Sequence, residues 1–222
     1  MPLNFPVKLT IDECEKFSET LYDVEAQQEL VLPMETDAPA FGGLASATQA
    51  IMTWARLSRT RELRVRGGVE KLADLVDRTL TRPHKFCATM MARVIRDTEA
   101  DENLGPILYA HAESAIERQG ASSFGQQRGG LCWFVFVDHS SKGFDRNFYL
   151  LDQDAKAEVR QLPQIRSVIR SMVEKSVGVV GGGKRLTDED IQHIGRLFFE
   201  LFVNTHEHGS RGLDRVDWLS PG

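Results

Sequence analysis

The chain has 222 residues, with 41% hydrophobic and 27% charged side chains and a formal net charge of −5. That composition matches folded globular proteins and excludes a disordered tail, and no apolar run reaches the ~18 residues a bilayer-spanning helix needs. The first residues, MPLNFPVKLTIDECEKF, turn acidic early and hold no long apolar core, so they do not read as a signal peptide. Cys14, Cys87 and Cys132 are odd in number and form no CxxC pair, which excludes a disulfide scaffold and a cysteine zinc site and fits a reducing cytoplasm.

Residues 9–28 are polar with spaced apolar positions (Cys14, Phe17, Leu21, Val24) and predict an amphipathic helix. Glu29–Pro33 is a short apolar run stopped by proline, and predicts a strand. Gly42-Gly43 opens a helix from Leu44 to Leu57, with Ile51 and Trp54 on its apolar face. Glu62–Val65 predicts a second strand, and Val69–Leu80 a third helix. The two strands should be parallel neighbours crossed by the 44–57 helix, as right-handed crossovers require.

Helices are expected at Lys85–Arg96 and from Pro106 to Arg118. Leu131–Val137 is the most strand-like run, expected to be buried on both faces and paired with Asn147–Leu151. Gln164–Lys175 is helical in pattern. Thr187-Asp-Glu-Asp190 has the form of a capping box and starts a long helix ending at His208-Gly209. The fold class is therefore mixed α/β, with a small α/β layer over residues 1–81 and a region of helices and a β-hairpin over 82–222.

Charge is uneven. Residues 1–60 carry 4 basic and 9 acidic side chains, net −5, whereas 61–100 carry 9 basic and 6 acidic, net +3. The basic stretch is spread out, mixed with acids and without interleaved aromatics, so a solvated surface accounts for it better than a nucleic-acid footprint. Gly178–Lys184 matches GxxxxGK, but Arg185 stands where Ser or Thr should hold Mg²⁺, and a linker explains it better. His206 and His208, two apart, point to different sides of a helix and do not converge on one metal.

Glu200, Asn204 and His208 recur every four residues along the last helix and form one polar strip. Ile191, Ile194, Phe198, Leu201 and Phe202 are expected in the core, with Phe199 and Val203 extending the apolar surface. The strip reads equally as the wet side of an amphipathic helix.

The motif Glu200-x-x-x-Asn204-x-x-x-His208-Gly209 resembles the N-box of the GHKL ATPase superfamily, which includes histidine kinases, anti-sigma factor kinases, gyrase B and Hsp90 chaperones. The resemblance covers about the last 25 residues. It implies ATP and Mg²⁺ as cofactors, Asn204 as the metal ligand, Glu200 as the catalytic base, and His208 and Gly209 near the phosphates. No Asp-x-Gly-x-Gly box occurs in the 222 residues, so the resemblance implies a GHKL module cut before its adenine-reading half. Such a chain should bind Mg-ATP weakly and not turn it over, whereas a longer parent could be an ATPase or protein kinase. The first 80 residues are similar in pattern to STAS domains, the partner fold of anti-sigma kinases, with Ser46 or Thr48 in the place of a phosphoacceptor. Together these imply a cytoplasmic, signal-transducing, ATP-binding regulatory protein with a protein partner and no membrane association. The alternative is a non-enzymatic interaction module with a degenerate nucleotide site.

Overall fold

The computed structural model describes residues 2–22, 29–39, 42–66, 72–118, 147–151, 157–179 and 186–209. The chain divides into two compact units, Met1–Ser114 and Ala115–Gly222. The first therefore takes in residues 82–114, which the sequence assigns to the second region.

In the first unit, strands β1 (Leu3–Asn4), β2 (Leu30–Val31), β3 (Glu62–Val65) and β4 (Val94–Asp97) form one all-parallel sheet in the order 1-2-3-4. Helix α1 (Ile11–Thr20) links β1 to β2, α2 (Gly43–Leu57) links β2 to β3, and α3 (Leu72–Leu80) with α4 (Pro83–Met91) links β3 to β4. Helix α5 (Gly105–Arg118) follows β4. Consecutive parallel strands joined by right-handed crossovers put their helices on one face of a sheet. The alternation along the strands agrees: Leu63, Val65 and Ile95 are buried in the same core as Cys14 and Phe17 of α1, Ile51 and Trp54 of α2 and Leu108 of α5.

The opposite side of β3 and β4 carries charge. Arg64 Nε donates to Glu29 Oε2 at 2.7 Å, and its other nitrogens reach Glu62 at 3.1 Å and Asp101 at 2.9 Å. Arg96 approaches the same Glu62 and Asp101. Beyond β4 the chain doubles back: Asp97 N donates to Glu102 O and Leu104 N to Ile95 O, both at 2.9 Å. That return occupies the outer edge of β4, which would otherwise offer unpaired backbone groups. Asp97 Oδ1 fixes the turn by accepting from Glu99 N and Ala100 N.

The parallel pairing of β2 with β3, and the burial of Ile51 and Trp54 in the intervening helix, are as expected from the sequence. The expected helix Lys85–Arg96 requires correction. Helix α4 starts earlier, with Pro83 at its first position and Arg82 as N-cap, and it stops at Met91. Ala92 turns extended (ψ 147°), Arg93 N donates to Arg61 O at 2.9 Å, and β4 begins. The apolar spacing of residues 86–96 suits either element. The free edge of β3 decides it, because adjacent Val94 and Ile95 fit a pleated half-buried strand better than a helix. Strand β1 has no signature in the sequence, since two residues carry no periodicity.

The second unit contains strands β5 (Tyr149–Leu151) and β6 (Ala157–Val159), which pair antiparallel, and helices α6 (Leu162–Val179) and α7 (Asp188–Asn204). The expected strand Leu131–Val137, and with it the expected pairing to Asn147–Leu151, lies outside the described residues. The β6 partner was not recognised in the sequence. Residues 162–179 form one helix where 164–175 was expected, so the start of the GxxxxGK run closes a helix rather than following a buried strand.

Candidate functional site

Helix α7 is built for a fixed start and a deformed end. Thr187 is its N-cap: the hydroxyl accepts from Asp190 N at 3.1 Å while Asp190 Oδ2 accepts from Thr187 N at 2.8 Å. These bonds to Thr187 push the Asp190 carboxyl below its usual value. Asp188, Glu189 and Asp190 oppose the positive end of the helix, and Arg170 of α6 pairs with Asp188. Thr187→Ala should lower the unfolding free energy of this unit by about 1 kcal/mol, as N-cap deletions do. Denaturant unfolding checks it, and an unchanged midpoint would show that the cap contributes nothing.

The helix lies on α6 through Ile191, Gly195, Phe198 and Phe202. A Cβ on Gly195 would come within 2.8 Å of Arg166 Cγ, so glycine lets the two helices approach closely. Phe202 is the centre of an aromatic cluster, with ring centroids 5.5 Å from Phe148, 5.3 Å from Tyr149 and 5.9 Å from Phe198. His206 continues the stripe, its ring 5.5 Å from that of Tyr149. In the sequence His206 reads only as half of a His206–His208 pair. Its place one turn after Phe202 on the buried stripe was the signal for packing.

Two of the expected core residues require correction. Ile194 is 40% exposed and Leu201 58%, and Leu197 between them is 63% exposed. Phe199 and Val203 are half-buried. The described elements that pack on α7 cover the stripe centred on Ile191, Gly195 and Phe202, and the Ile194–Leu197–Leu201 row is rotated away from it.

Glu200 and Asn204 are both exposed and one turn apart on that open side. Neither side chain makes a hydrogen bond or ion pair with the described residues. After Asn204 the helix widens into a single π-helical turn, Thr205–Gly209, which holds His208 and ends on Gly209. Such turns are uncommon and recur at functional sites. The structure therefore presents Glu200 and Asn204 together and puts the His208 and Gly209 backbone in the next turn. The arrangement is a carboxylate and a neutral amide, both accessible and at one-turn spacing.

The basic stretch 61–96 is not one surface. Arg64 and Arg96 are committed to carboxylates, Arg66 pairs with Glu99 at 3.1 Å, and Lys85 is buried with Nζ donating to Pro33 O and Met34 O, both at 2.9 Å. Ser46 and Thr48 lie in the first turns of α2, where Thr48 Oγ1 donates back to Leu44 O at 2.9 Å. No group of three or more His, Cys, Asp or Glu among the described residues is arranged to hold a metal by itself, and no helix among them is long and apolar enough to cross a membrane.

Comparison with known protein families, curated proteins and solved structures finds no match.

Proposed function

We propose that this is a regulatory protein whose second unit carries the metal–phosphate side of a GHKL-type ATP site, and whose first unit is a STAS-like docking domain. The observation that carries the reading is the pair Glu200 and Asn204, accessible, without a described partner and one turn apart, at the mouth of a π-helical turn. Asn204 would give its amide oxygen to Mg²⁺, and the ion would supply positive charge against the phosphate oxygens. The Glu200 carboxylate would accept the proton of an attacking water or hydroxyl. Contacts made on an open helix face are short of the enclosure that tight nucleotide sites have, so ATP should bind weakly.

Calorimetric titration tests this. ATP binding should depend on Mg²⁺ and lose that dependence in Asn204→Ala, while Glu200→Gln should keep binding within a few-fold. Absence of Mg²⁺-dependent binding at millimolar ATP, or unchanged binding by Asn204→Ala, would overturn the reading. The second reading, an interaction module without nucleotide, is favoured by one observation: the exposed row Ile194, Leu197 and Leu201 beside the same pair.

A further inference from the structure

We draw no further inference here: the strongest candidate, the exposed apolar row of Ile194, Leu197 and Leu201 on helix α7, carries none because nothing in the structure shows what covers it.

Discussion

Between pH 7.5 and about 4.5 the first unit should lose roughly 3 kcal/mol of folding stability through His84 alone. The ring of His84 has no exposed surface, and neither nitrogen has a hydrogen-bond partner among the described residues. It stacks on Phe5 with centroids 6.0 Å apart and an interplanar angle of 18°. Burial, then the neighbouring charges of Lys85 and Arg82, lower its pKa from 6.5 to about 3. The start of α4 opposes a cation at the same place. An unfolded chain therefore takes up a proton at His84 near pH 6.5, while the folded chain refuses it until about pH 3. Stability from this group is fully present above pH 6.5, falls by about 1.4 kcal/mol for each pH unit below it, and levels off near the folded value.

Carboxylates in general begin to take up protons below about pH 5, so the clean comparison is between pH 6.5 and 5. In that interval His84→Phe should unfold in urea with little pH dependence, whereas the parent should lose about 2 kcal/mol. The variant should also be at least as stable as the parent at pH 7, since it removes two buried unsatisfied nitrogens at the cost of a slightly larger ring. Parallel pH profiles for the two proteins, or the His84 imidazole of the folded chain titrating near 6.5, would refute the account.

Gly43→Ala should destabilise the first unit by about 3 kcal/mol or more, enough to lower its melting temperature by more than about 10 °C. Helix propensity alone favours alanine by roughly 1 kcal/mol. Sterics reverse that sign. A Cβ on Gly43 would lie 1.8 Å from Leu9 O and 2.6 Å from Leu9 C, and both are backbone atoms with no side-chain rotation available to move them. The residue ahead, Gly42, has φ +77°, a left-handed conformation that glycine adopts freely. Helix α2 can therefore begin only by laying bare backbone against the segment that precedes α1. Cys14 Sγ, 3.9 Å from Gly43 O, belongs to the same close approach. Thermal unfolding followed by circular dichroism checks this, with exposed Ala45→Gly as the reference for a propensity change without a clash. A Gly43→Ala protein as stable as the parent would mean that the chain at Leu9 yields easily.

Gly42-Gly43 shows where local sequence was informative and where it stopped. The pair marked the start of a helix, and it does start one. That the second glycine exists for contact with Leu9, 34 residues earlier in the chain, is invisible without the fold. The polar strip on α7 is similar. Its spacing was legible because helical geometry puts Glu200 and Asn204 on one face. The neighbours of that face were not legible. Ile194 and Leu201 are as hydrophobic as Ile191 and Phe202, and only the position of α6 and the Phe148–Tyr149 pair decides which of them is covered.

Elements with a strong local cause can be read from the residues that form them. Thr187 and Asp190 cap α7 through bonds that both belong to its first turn, and β2, α2 and β3 follow from a proline stop, a glycine start and an apolar period. Other features depend on partners distant in the chain and arise only on folding. Val94–Asp97 became a strand because β3 offered an open edge, despite a pattern that suits a helix. His84 became a neutral core residue because Phe5, near the start of the chain, covers it. Arg66, Arg78 and Lys85 came to line one cleft because adjacent parallel strands end together and the later part of α3 and the first turn of α4 lie beside them. Periodicity reports which face of an element is apolar, but burial and charge proximity are properties of pairs of elements, and those pairs form only when the sheet does.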